Sequence, residues 1–131
     1  MTDDDARVTK RRSGYAISPV DGTPLFFERH PSPAERPALA AIMTDGIGCD
    51  GYVWKYLRRD VATVLDYIHW HYPGHGRSPK PRHTARVGIP DLADNLAAVM
   101  DETETDKGVL FGHSMGVQVV LEAYRRHPDR V

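Results

Sequence analysis

Val109-Leu110-Phe111-Gly112-His113-Ser114-Met115-Gly116 is the most informative stretch of this chain. Val109–Phe111 is uniformly apolar, as a strand buried on both faces must be. Met115–Arg126 then reads as a helix, stopped by His127-Pro128. Between them the backbone has to reverse within a few residues. That reversal pushes Ser114 into a strained conformation with its hydroxyl above the end of the sheet. Bulky side chains at the flanking positions would strike the neighbouring strand and helix, which accounts for Gly112 and Gly116. A serine at a helix N-terminus also has free N–H groups and the helix dipole beside it. The spacing predicts that the Met115 amide faces the oxyanion formed when Ser114 attacks a carbonyl. A G-x-S-x-G pattern also arises by chance in glycine-bearing turns; the strand before it and the helix after it favour the chemical reading.

The rest of the chain alternates in the same way. Ser13–Ile17 and Pro24–Arg29 are β-prone runs separated by Pro19-Val20-Asp21-Gly22, a hairpin signal. His30–Pro37 holds three prolines and reads as a loop. Ala38–Met43 is a second buried strand, followed by a glycine-rich loop over Thr44–Gly51. Tyr52–Leu65 places Val53, Tyr56, Leu57, Val61, Val64 and Leu65 at helical spacing. Tyr67–Tyr72 is a further strand, Pro73–Pro81 a Gly/Pro loop, and Ile89–Met100 an amphipathic helix. No internal repeat is visible. A hairpin followed by strand–helix repeats gives an α/β fold: a mostly parallel sheet with helices on both faces. Residues 1–12 read as a disordered charged tail, and 13–131 as one domain.

These motifs resemble the α/β-hydrolase superfamily over almost all of residues 13–131. Asp21-Gly22-Thr23-Pro24-Leu25 is similar to the family's first hairpin turn, and Thr44-Asp45-Gly46-Ile47 stands in the place of its His-Gly oxyanion loop. Gly74-His75-Gly76-Arg77-Ser78 is similar to the Gly-x-Gly-x-Ser loop, and Tyr124–Val131 to the end of the helix behind the nucleophile. The resemblance implies that the Ile47 amide is the second oxyanion donor. Two positions depart from the pattern: Asp45 where histidine is usual, and His71 where aspartate is usual. A carboxylate beside a developing anion is unfavourable, so Asp45 is expected to turn away and cap the loop backbone. In the family the triad acid and histidine follow the nucleophile, yet only 17 residues follow Ser114. The reading is therefore an N-terminal half of the fold, truncated before a sixth strand.

The implied activity is attack of Ser114 on an ester, thioester or amide carbonyl, through an acyl-enzyme and without a cofactor. The alternatives are an inactive remnant or binding module of the same fold, or an acyltransferase or perhydrolase. The substrate would be a small carbonyl compound, with Tyr52, Trp54 and Trp70 as candidate pocket residues. His69, His71 and His75 form H-x-H-x3-H, but no clustered carboxylate or fourth ligand accompanies them, so no metal is assigned. His113 is adjacent to Ser114, but its side chain must point away from the hydroxyl and pack beside the sheet; His75 and His83, on loops at the same end of the sheet, are local candidates for a base without an evident orienting partner. Cys49 reads as a small loop residue, not a nucleophile, and as the only cysteine it forms no intrachain disulfide.

Composition narrows the function classes further. With 131 residues, 17 Lys plus Arg against 18 Asp plus Glu, and a net charge of -1, nothing attracts nucleic acid or an acidic membrane surface. The longest apolar run, Ala38–Met43, is far short of the roughly 20 residues of a membrane helix. Arg11-Arg12 lacks the apolar stretch of an export signal, so the chain reads as soluble and cytoplasmic. The sequence leaves oligomeric state open.

Overall fold

Two strands, Ala40–Thr44 and Asp66–Trp70, are buried along their whole length and form the centre of the protein. The computed structural model describes residues 12–33 and 39–131. In chain order the strands are β1 (Arg12–Ile17), β2 (Pro24–His30), β3 (Ala40–Thr44), β4 (Asp66–Trp70) and β5 (Gly108–Gly112). The helices are α1 (Lys55–Val61), α2 (Ile89–Glu102) and α3 (Met115–Arg126). The sheet order is β1-β2-β4-β3-β5. β1 and β2 form the expected antiparallel hairpin, and β2 also runs antiparallel to β4. β3 lies parallel to both β4 and β5, with Ile42 opposite Ile68 and Leu110.

The twofold alternation of a strand sorts these residues into two cores. Ala40, Ile42, Ile68 and Trp70 join Phe27, Leu92, Leu96, Val99 and Val119 under α2 and α3. Ala41, Met43 and Tyr67 face the other way, against Trp54, Val61, Ala62 and Leu65 around α1. Each fully buried side chain of this size contributes about 1.5–3 kcal/mol of transfer free energy. α2 is entered through Gly88, whose N–H donates to the Asp91 carboxylate at 3.1 Å. Asp94 on α2 accepts two hydrogen bonds from the Arg126 guanidinium of α3, at 2.9 and 2.8 Å, fixing the two helices side by side. Among the described residues, no helix is long and apolar enough to cross a membrane.

Several expectations are corrected. The reading of the fold as an N-terminal part, cut before a sixth strand, gives way to one five-stranded sheet with three α-helices spanning nearly the whole chain. Counting residues after Ser114 misses that both faces of β3 and β4 are already covered. Among the described residues β5 pairs with β3 alone, and its Val109 is exposed where a strand buried on both faces was expected. The single helix expected over Tyr52–Leu65 is a 3-10 turn, Tyr52–Trp54, followed by the short α1. Just past its end Thr63 Oγ donates to the Asp60 carbonyl, and of the expected apolar stripe Tyr56 stays 79% exposed. The strand expected at Ala38–Met43 is Ala40–Thr44, and Ala38 lies outside the described residues. So do residues 1–11 of the expected tail, whereas Arg12 belongs to β1 and lies over the Phe27 ring.

The turn after β1 is tied to α2 by a buried side-chain hydrogen bond. Ser18 Oγ donates to Asn95 Oδ1 at 2.6 Å and accepts from the Val20 N–H at 3.1 Å. Ser18→Ala orphans a buried amide oxygen and a turn N–H together, so it should cost about 1–3 kcal/mol. Equilibrium urea unfolding checks this, with the midpoint falling and the slope unchanged.

Candidate active site

The turn from β5 into α3 is built on backbone contacts. Ser114 has φ 54° and ψ −118°, a conformation that costs a non-glycine residue about 1–3 kcal/mol. Three hydrogen bonds hold it there: His113 N–H to the Thr44 carbonyl, Gly116 N–H to the His113 carbonyl and Val117 N–H to the Ser114 carbonyl, at 3.1, 2.8 and 3.0 Å. A Cβ on Gly116 would overlap the Thr44 carbonyl oxygen, and one on Gly112 would sit 2.6 Å from the Gly116 oxygen. Both glycines are therefore required by close approach. Ser114 is exposed at the surface, and among the described residues its hydroxyl has no hydrogen-bond partner.

The loop after β3 lies directly against this turn. A Cβ on Gly46 would be 3.2 Å from both Ser114 Cβ and His113 Nδ1. The Ile47 side chain is 72% exposed. Gly48 N–H donates to His75 Nε2 at 2.9 Å, and His75 Nδ1–H donates to the Pro73 carbonyl at 3.1 Å, which fixes the tautomer. His75 is thus committed to the loop. His83 sits by the β1–β2 turn, where its N–H donates to Asp21, at the opposite edge of the sheet from β5. His113 is exposed, with its ring edge-on to Trp54 at 6.3 Å. None of the three is hydrogen-bonded to Ser114.

Asp45 does turn away from the surface, but it does not cap the loop. Its carboxylate is buried and accepts hydrogen bonds from Trp54 Nε1–H at 2.6 Å and His69 Nε2–H at 2.8 Å. Two N–H donors reach it from side chains, which the local turn propensity of aspartate could not reveal. Trp54 is accordingly buried beneath the loop, Tyr52 is 73% exposed, and Trp70 lies in the core under α2 and α3. The rings of His69 on β4 and His71 just after it lie with centres 4.9 Å apart, and each is used by a neighbouring loop. Among the described residues no three His, Cys, Asp or Glu side chains are grouped to hold a metal. The Cys49 thiol faces the Ile47 carbonyl at 3.8 Å.

His71 explains the second departure from the family pattern. Its Nδ1 accepts the Arg77 N–H at 2.8 Å, doing for the following loop what a carboxylate would do without a charge. Burial lowers its pKa to about 4, with His69 adding to the shift against the opposing pull of Asp45, Glu28 and Asp50. The signal available in sequence was the i, i+2 spacing of the two histidines in a strand; their partners, an acceptor for His69 and a donor for His71, come from separate loops and were not legible.

Comparison with known proteins agrees with this geometry. A profile described as the alpha/beta hydrolase fold matches residues 42–131. The chain belongs to the alpha/beta hydrolase fold family. It is 30% identical over 128 residues to the dihydrolipoyllysine-residue acetyltransferase component of the acetoin cleaving system of Cupriavidus necator, covering 98% of this chain and 33% of that protein. It is 28% identical over 118 residues to the putative carbamate hydrolase RutD of Caulobacter vibrioides, covering 88% and 41%. The structure of Cfl2 from Burkholderia cenocepacia superposes with a TM-score of 0.77 at 22% identity, covering 95% of this chain and 40% of that one. The match takes in nearly the entire chain and is not that of an N-terminal half alone; the chain spans about a third to two fifths of the length of these two curated relatives.

Gly116→Ala sets a methyl group against an immobile carbonyl and should destabilise the protein by about 3 kcal/mol. Gly48→Ala, with nothing within 4 Å but φ +74°, should cost only about 1–2 kcal/mol. Chemical denaturation of the pair separates these values. For His71, neutrality in the folded state adds stability that is complete above pH ~6.5 and is lost as pH falls through about 4. Relative to His71→Asn, which keeps an acceptor and does not titrate, wild type should lose on the order of 3 kcal/mol between those limits. Unfolding curves at a series of pH values measure the difference.

Proposed function

We propose that the protein is a serine-nucleophile hydrolase acting on an ester, thioester or amide carbonyl of a small molecule. The observation that carries this is the backbone of Ser114: an exposed serine at positive φ, at the N-terminus of α3, with the Gly46 loop packed against it. A strained serine held at such a position is what nucleophilic attack needs, because its hydroxyl is presented ahead of the sheet without conformational search. Ser114 Oγ attacks the carbonyl carbon and its proton passes to a base. The carbonyl oxygen becomes the oxyanion, facing the Met115 and Ile47 amides. Collapse expels the alcohol, thiol or amine and leaves the acyl group on Ser114, and water then attacks the acyl-enzyme to release the acid. Gly112 and Gly116 act by allowing the turn. Tyr52, exposed beside the loop, is a candidate for substrate contact, whereas Trp54 supports the loop from below.

Relatives named for carbamate hydrolysis and for acetyl transfer lend support, since both chemistries centre on a carbonyl carbon. The route requires no cofactor. The full-length protein should react with a fluorophosphonate probe, and Ser114→Ala should abolish labelling. On an activated ester, Ile47→Val should barely alter turnover, while Ile47→Pro, which deletes the amide, should lower kcat about 10²–10³-fold. Labelling that persists in Ser114→Ala would end the assignment of the nucleophile. Equal effects of the two Ile47 substitutions would move the donor elsewhere.

A further inference from the structure

We infer that Asp45 is a positioning residue for the second oxyanion donor: its buried carboxylate, held by Trp54 and His69, sets where the Ile47 amide sits beside Ser114. The inference rests on the proposed hydrolase reading. Asp45 is the first residue after β3 and stands two positions before Ile47. All three of its acceptor atoms are engaged by side chains. Oδ1 takes the Trp54 indole N–H, Oδ2 takes the His69 Nε2–H, and the main-chain carbonyl takes the Tyr72 hydroxyl. These donors come from the 3-10 turn beyond the loop, from β4 and from the segment just after β4. With its side chain and carbonyl both fixed, Asp45 has little freedom to redirect the Gly46–Ile47 peptide.

The far end of the loop closes on the same imidazole. Gly51, at φ +94°, approaches so near that a Cβ there would be 2.5 Å from His69 Cε1. The loop therefore begins and ends on His69, one end by a hydrogen bond and the other by contact. Its middle is tied by Gly48 N–H to His75, and Gly46 is wedged against Ser114 and His113. A displacement at Asp45 cannot be absorbed within so short a span and reaches the elbow. A carboxylate buried without partners would cost several kcal/mol, so two charge-assisted hydrogen bonds are what make aspartate tolerable here. They also draw its charge away from the place where the oxyanion forms. An apolar residue would fill the same space without aiming the loop.

Two measurements on the full-length protein test this together. One is hydrogen exchange at the Gly48 and Cys49 amides, which are bonded to His75 Nε2 and to the Gly46 carbonyl. The other is steady-state turnover of an activated ester, referenced to Ser114→Ala. Asp45→Ala should speed exchange at both amides at least about 10-fold while β3 and β4 exchange as in wild type. It should also lower kcat by about 10–100-fold with little change in KM. Asp45→Asn, which keeps an acceptor for Trp54, should recover most of both losses. Trp54→Phe removes only the indole donor and should shift both readouts the same way by a smaller factor; it carries the test where Asp45→Ala does not fold. Unchanged loop exchange in Asp45→Ala and Trp54→Phe overturns the inference whatever the activity. Faster exchange with wild-type kcat overturns the positioning role and leaves the hydrolase reading standing. Absence of Ser114-dependent turnover in wild type removes the hydrolase reading and this role with it, and the exchange data then report the clamp alone.

Discussion

The carbonyl oxygen of Thr44 is the point on which the structure turns. It accepts the His113 N–H, extending the β3–β5 ladder one step past the strands, and Gly116 is seated against it with no room for a side chain. Backbone meets backbone there, so neither side can yield by rotating a side chain. The positive φ of Ser114 follows from that closure: β5 arrives in register with β3, α3 must leave over the top of the sheet, and one residue takes the turn. The strain at Ser114, about 1–3 kcal/mol, is sustained by a helix whose inner face is buried through Val119 and Ala123.

Beneath the loops at the carboxyl end of the sheet lies a second, polar constraint. Asp45, His69, His71 and Tyr72 are all buried, and each spends a side-chain polar atom on a neighbour that determines a loop path. Buried polar groups of this kind are costly unless satisfied, and once satisfied they specify a single arrangement more sharply than apolar packing does. His71 shows how a departure from a family pattern preserves the physics. What the loop needs is an acceptor for the Arg77 N–H, and a neutral imidazole nitrogen supplies it.

The two departures are also coupled. With His69 hydrogen-bonded to Asp45 and His71 packed against His69, the pair forms a short row from the loop after β3 to the loop after β4. Burial is the main cause that keeps His71 neutral, and the neighbouring His69 adds to it.

What the sequence by itself determined is the part of the protein governed by local rules. The alternation of apolar runs with Gly/Pro loops located all five strands to within one or two residues, and the elbow at Ser114 was legible because strand, reversal and helix each leave a signature within a few positions. The short α1 was misread because helical spacing reports periodicity and not burial, and the apolar face of Tyr52–Leu65 is largely open. What only the tertiary structure decided is which polar groups meet. Asp45 and Trp54 are 9 residues apart, Asp45 and His69 are 24, and Gly48 and His75 are 27. Such pairings depend on strand order and on the depth at which each side chain is buried. Neither is encoded within a local window, so a residue that reads as a loop cap became the buried anchor of the loop.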